Sequence, residues 1–252
     1  MLNKMILYLL LVFISSEAGA QSPAELFHNG NLQYEKGEYD KAADNYRSIV
    51  NSGVESPEVW YNLGNSYYKL NMLGPTVLSY ERAKRLAPQD ESINYNLKAV
   101  NLLITDKITP LPENFLITGA RNILGSLTSA GLLRFLLTVY LASILIYILT
   151  LFMSSGRPKR VSYLVLGALG FSFVVTAVIT GVKIDTDLNN KRAVVMVTEM
   201  SVASAPEEIG EELFILHEGT AVEIIGGSES WAQIKIVDGK AGWVPTEMLE
   251  VI

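Results

Sequence analysis

From Phe135 to Ser155, and again from Val161 to Val182, the chain carries no charged residue. Neither stretch keeps the polar stripe of a helix buried in a soluble core, and each reaches the roughly 20 residues needed to cross a bilayer. The pattern predicts two transmembrane helices, over 132–153 and 161–182, joined by the loop 154–160. Before them, 21–107 shows helical periodicity. After a short link over 183–190, 191–252 changes to short alternating runs that predict strands. Residues 108–131 open with Pro110 and Pro112 and are otherwise moderately apolar, with Arg121 the single positive charge. They suit either an interfacial helix or a linker.

Charge gives these elements a direction. The loop sequence SSGRPKR holds Arg157, Lys159 and Arg160, and positive residues in a short loop mark its cytoplasmic side. The first 20 residues carry Lys4, an apolar run from Met5 to Ile14 and the small residues Ala18-Gly19-Ala20, the pattern of a cleaved signal peptide. Both features predict a hairpin dipping to the cytoplasm, with a soluble domain exported at each end. The composition agrees with a membrane protein: 49% of residues are hydrophobic and 18% charged. A net charge of −6 argues against general nucleic-acid binding. The lack of cysteine removes disulfides and thiolate chemistry.

Within 21–107 the sequence repeats at a period of 34 residues: Gly30 with Gly64, Tyr34 with Tyr68, and Tyr46 with Tyr80. Trp60, Leu63, Gly64, Tyr67, Tyr80, Ala83 and Pro88 fit the tetratricopeptide pattern, and the first copy keeps Gly30, Tyr34, Ala42 and Tyr46. Two such repeats, capped by a helix presenting Ile93, Leu97 and Val100, make a small α-solenoid. The glycines are expected where two helices of one repeat approach closely. In this register the concave face takes Phe27, Asn31, Tyr34, Tyr61, Asn65, Tyr68 and Tyr95, side chains able to bond and pack an extended peptide. The tyrosines equally suit packing within the solenoid. Carboxylate-clamp tetratricopeptide domains resemble this one in having an asparagine at Asn31 and Asn65, but the clamp's lysines and arginine are not matched.

In the last segment, Ile234 and Ile236 alternate with Gln233 and Lys235 ahead of Asp238-Gly239, a two-residue hairpin signal. LHEGTAVEII, Trp231, DGKAGWVP and the terminal LEVI resemble the bacterial SH3-like (SH3b) domain, which implies a small all-β barrel with Trp231 and Trp243 packed in its core. Some domains of that kind bind cell-wall peptides, so peptidoglycan is an alternative ligand. Glu207, Glu208, Glu211 and Glu212 form an acidic loop, read as solvated or as a site for a basic partner or divalent cation.

Catalytic motifs are not found. His28 and His217 lie in different domains, and no Walker loop, G-x-S-x-G or H-E-x-x-H occurs. Asp185, Asp187 and Asn189 open like a calcium loop, but Asn190 replaces its glycine and Met196 its closing glutamate. A non-enzymatic protein without cofactor or metal is expected. Taken in order, signal peptide, repeats, two spans and SH3b domain resemble the BatE-like proteins of the bacterial Bat aerotolerance family. The resemblance implies an inner-membrane accessory working with other Bat membrane proteins that carry von Willebrand A domains, and with a MoxR-type ATPase. The alternative is a membrane sensor that binds the cell wall.

Overall fold

A computed structural model describes residues 21–109, 115–189, 191–206 and 210–252. The signal-peptide segment, Pro110, Pro112, Asn190, Glu207 and Glu208 lie outside the described residues, as does the side chain of Arg121. Among the described residues five helices come first: α1 (Pro23–Glu35), α2 (Tyr39–Asn51), α3 (Pro57–Lys69), α4 (Leu73–Leu86) and α5 (Glu91–Asn101). Their starts are written locally. Ser22 caps α1 in a reciprocal box with Glu25, Ser56 caps α3 ahead of Pro57, and Asp90 accepts from two backbone N–H groups of α5.

These helices form a helical repeat region with two closely similar pairs. A Cβ added at Gly30 would stand 2.6 Å from the Tyr46 ring, and one at Gly64 would stand 2.6 Å from the Tyr80 ring. Only glycine lets each tyrosine lie flat on the preceding helix. Ala42, Ala43, Tyr46, Ile49, Leu63 and Ala83 fill the core between the pairs, and α5 closes it with buried Ile93, Leu97 and Val100.

Next come α6 (Phe115–Ser126), α7 (Ser129–Leu151) and α8 (Arg157–Asn189). Both α7 and α8 are long and apolar enough to cross a membrane, each with a mean hydropathy of 2.2. They pack as a hairpin, with the Tyr140 and Phe173 rings 6.4 Å apart. The buried hydroxyls of Thr150 and Thr180 donate to their own helix's carbonyls, four residues back, at 2.7 Å. At the other end of the hairpin Asp187 pairs with Lys183 at 2.8 Å and accepts from Ser129 at 2.6 Å. The helix α8 starts at Arg157, inside the expected loop, and continues through 183–189, where the sequence pattern was read as a link.

The remaining strands are β1 (Lys191–Val195), β2 (Glu199–Ala203), β3 (Glu212–His217), β4 (Ala221–Gly227), β5 (Trp231–Lys235), β6 (Ala241–Pro245) and β7 (Leu249–Val251). They form one antiparallel sheet in the order β3-β2-β6-β5-β4-β1-β7. The expected barrel is not closed: β3 and β7 stand at opposite ends of that order and do not pair. Its seam is thin, since β2 and β6 meet through the single pair Ala203 and Trp243. Asp238-Gly239 does not form a two-residue turn either. Ile236 and Lys240 still pair, and the loop is Val237 to Gly239 with Gly239 at φ +92°, because the extra residue absorbs the strand twist as a bulge. Ile234 and Ile236 are buried as the alternation requires, whereas Trp231 and Trp243 are only half-buried. In the acidic loop, Glu212 accepts from Ser201 at 2.7 Å.

The sheet and the helical repeats share a core. Val194 of β1 is fully buried among Val77, Leu78, Tyr80, Leu97, Val100 and Ile104. Glu81 of α4, only 8% exposed, takes both guanidinium nitrogens of Arg192 at 3.1 and 3.3 Å. Arg82 donates to Glu250 and to the Val251 carbonyl, and Arg85 to the Ile252 carbonyl, so α4 occupies the β7 end of the sheet. This is the physical reason the strands need not close on themselves: helix side chains cover that edge instead.

Candidate functional site

The side chains expected in a concave groove divide into a buried frame and an open notch. Within the frame, the Tyr46 hydroxyl donates to Asn31 Oδ1 at 2.6 Å, and Asn62 Nδ2 donates to the same oxygen at 3.3 Å. One repeat later, Tyr80 donates to Asn65 Oδ1 at 2.7 Å and Asn96 Nδ2 donates to it at 3.1 Å. The unit recurs 34 residues on, and it ties α1 to α3 and α3 to α5.

The tyrosines are donors at neutral pH. Burial pushes the Tyr46 hydroxyl up to about 12, and burial raises Tyr80 further still. A phenol that donates fixes the acceptor as the amide oxygen, so Nδ2 of Asn31 and of Asn65 has no partner among the described residues. Each amide is therefore held through its oxygen by two donors, and both N–H donors of its Nδ2 are to spare.

The notch lies between α3 and α5 and is lined by Tyr61, Glu91, Ser92, Tyr95 and Asn96, with a volume of about 410 Å³. Tyr61 packs on Tyr80 with ring centroids 5.8 Å apart, and its hydroxyl accepts from Asn96 at 2.9 Å. Tyr95 is 73% exposed, an aromatic side chain left largely open by the described residues. Of the expected groove residues, Tyr61 and Tyr95 therefore come together, and Asn65 is joined to them through Asn96. Tyr34 instead packs edge-on against Tyr39 at 5.1 Å, Phe27 packs on Tyr46, and Tyr68 is half-exposed outside the notch. Asn62 and Asn96 were not singled out from the sequence, although they too stand 34 apart.

A second polar cluster, also missed, joins the domains. Asp106 accepts from Thr220 Oγ1 at 2.6 Å, from the His217 N–H at 2.8 Å and from its Nδ1 at 2.7 Å. Burial pushes this carboxyl up, but the three hydrogen bonds and the imidazole charge outweigh it, and the pKa falls below the ordinary 3.8. Beside it, Glu218 accepts from the Gly74 N–H at 2.8 Å, and Gly219, at φ +86°, lets the turn approach Leu73, Val77 and Ile104.

Arg157 and Arg160 are exposed and Lys159 half-exposed on the first turn of α8. Cations are disfavoured there by the helix dipole, by roughly 0.3–1 kcal/mol each. Among the described residues none of the three pairs with a carboxylate.

No family model matches the chain. Over 73 residues, 29% of this chain, it is 32% identical to BBSome complex member BBS4 of Bos taurus. It is 33% identical to the same protein of Mus musculus, and the chain spans about 14% of the length of these curated relatives. Among solved structures it is loosely similar to PcrH in complex with the chaperone binding region of PopB, at 14% identity and a TM-score of 0.32, over 60% of this chain and 98% of that one. The PcrH complex with the region from PopD gives 13% identity and a TM-score of 0.31, over 62% and 90%. The first TPR of Spaghetti (RPAP3) bound to the HSP90 peptide SRMEEVD gives 17% and 0.20, over 35% and 98%.

Proposed function

We propose that this chain is a non-enzymatic scaffold of the Bat aerotolerance type, anchored in the bacterial cytoplasmic membrane by α7 and α8. The helical repeats and the SH3b-like sheet lie on the exported side, and the notch engages an extended segment of a partner with a von Willebrand A domain. The observation that carries this reading is the notch itself. An exposed tyrosine, a second tyrosine fixed in the same notch and an orienting asparagine sit on a hydrogen-bonded frame. Aromatic faces supply apolar contact at low entropic cost, and pre-ordered amides bond the partner's backbone without reorganising.

Two features support the orientation. The basic first turn of α8 opposes the local dipole, so its charges make sense as topology signals at the cytoplasmic surface. The shared core of repeats and sheet supports a hairpin whose two ends emerge on one side. On this reading α6 lies along the interface.

The test is a crosslinking pull-down from membranes with the full chain and with Tyr95→Ala. Because Tyr95 is 73% exposed, its loss leaves the core intact. Capture of a von Willebrand A-domain membrane protein, reduced at least about tenfold by Tyr95→Ala, is expected for an interface anchor worth about 1.4 kcal/mol. Recovery of no envelope protein sinks the scaffold reading. Co-sedimentation of the full chain with purified sacculi, unaffected by Tyr95→Ala, would instead establish the cell-wall sensor.

A further inference from the structure

A crevice among the described residues lies where the helical repeats meet the ends of the apolar hairpin, beside the start of α5. It encloses about 770 Å³, within the roughly 300–1,000 Å³ of small-molecule sites. Leu86 and Pro88, from the turn between α4 and α5, form its roof. Leu132 and Phe135 of α7 and Ile179 of α8 form its floor.

Part of its polar rim is committed within the protein. Gln89 Nε2 donates to the Ser126 carbonyl at 3.1 Å, and Asp90 Oδ1 caps α5 at 2.9 and 3.0 Å. No lysine or arginine is among the described lining residues, and its one charged group is the Asp90 carboxylate. The site therefore offers mainly hydrocarbon contact and no cation, which argues against recognition of a phosphate headgroup. An apolar cavity of this kind holds water poorly.

We propose that this crevice seats one acyl chain of a bilayer phospholipid, lifted against the underside of the repeat region. The proposal rests on the reading of α7 and α8 as membrane spans. The occupant follows from continuity. Phe135, half-exposed, belongs both to the crevice floor and to the apolar outer surface of α7 that runs on along the same side through Leu145 and Leu149, each exposed. Lipid solvating that surface enters the crevice along a continuous apolar path, and each methylene it buries is favourable. The seated chain fixes the soluble body against the bilayer and fills a gap that the protein leaves open.

The experiment uses the full chain reconstituted in phosphatidylcholine vesicles containing a phospholipid with a photoreactive diazirine in its acyl chain. Crosslinked peptides are mapped by mass spectrometry. Label is expected on the segment around Leu86 to Asp90 as well as on α7 and α8. Leu132→Trp, which fills the floor, lowers label on that segment at least fivefold and leaves label around Leu141 unchanged. Leu132→Asn, which makes the floor polar, lowers it likewise and guards against a folding defect of the first variant. Label on α7 and α8 with none at Leu86 to Asp90 overturns the crevice and leaves the spans standing. Label on neither overturns the spanning reading itself. Label at Leu86 to Asp90 that both variants leave unchanged also overturns the crevice, since it then reports peripheral contact.

Discussion

Gly64 leaves no room for a side chain: a Cβ there would meet Tyr80 at 2.6 Å and Ser79 Cβ at 3.3 Å. The ring cannot swing away, because its hydroxyl is tied to Asn65 and the residue is buried. Gly64→Ala is therefore expected to cost about 1–3 kcal/mol by overpacking, read as a lowered melting temperature of the full chain in detergent. Gly167→Ala, with nothing within 4 Å, serves as the unshifted control. The hydrogen-bonded frame gives a second expectation. Tyr80→Phe removes one of two donors to Asn65 Oδ1 and costs about 0.5–1.5 kcal/mol, while Asn65→Ala strands a buried phenol and costs about 1–3 kcal/mol. At this scale the 34-residue spacing made the glycines and their tyrosines legible. It did not reveal that Asn31 and Asn65 serve the frame as much as the groove, because that depends on which helix α5 brings alongside α3. The parallel spacing of Asn62 and Asn96 was the available sign.

Among elements, the turn from His217 to Thr220 was legible only as a break between strands. Its docking on Asp106 joins residues more than a hundred positions apart, and no local period records such a contact. The two long apolar helices, by contrast, were legible because an unbroken uncharged run is readable without reference to any partner. The docked turn has a pH signature. Asp106 titrates below its ordinary value when folded, so its contribution is fully present above about pH 4 and is lost as pH falls through the lowered value. Amide hydrogen exchange of the turn should then lose protection in that acid window. Asp106→Asn, which keeps the shape but not the charge, should be less protected at neutral pH and flat across the window. An unchanged profile in Asp106→Asn would assign the acid response to another group. On the opposite side of the interface, Arg192→Ala leaves the Glu81 carboxylate unpaired at 8% exposure. The arginine is 45% exposed, which discounts the 3–5 kcal/mol of a fully buried pair to about 1–3 kcal/mol.

The whole molecule follows from putting a shared core at the two ends of one hairpin. Val194 is sealed by helices that precede the spans, although it follows them in sequence. Reading the chain as separate domains missed this, since each segment carries its own periodicity and the seam is a few residues from each. On the proposed topology two crossings bring both halves of this core to one side, and the lack of cysteine makes the arrangement directly measurable. Single substitutions Ser52→Cys on the repeats, Ser155→Cys between the spans and Ser230→Cys on the sheet each create one exposed thiol. In spheroplasts an impermeant maleimide should label the first and third and spare the second until the membrane is opened. Labelling of Ser52→Cys without Ser230→Cys would separate the two halves of the core by a bilayer and is incompatible with Val194 where it lies. Labelling of Ser155→Cys alone would invert the hairpin while preserving the shared core, and would move the tyrosine notch to cytoplasmic partners.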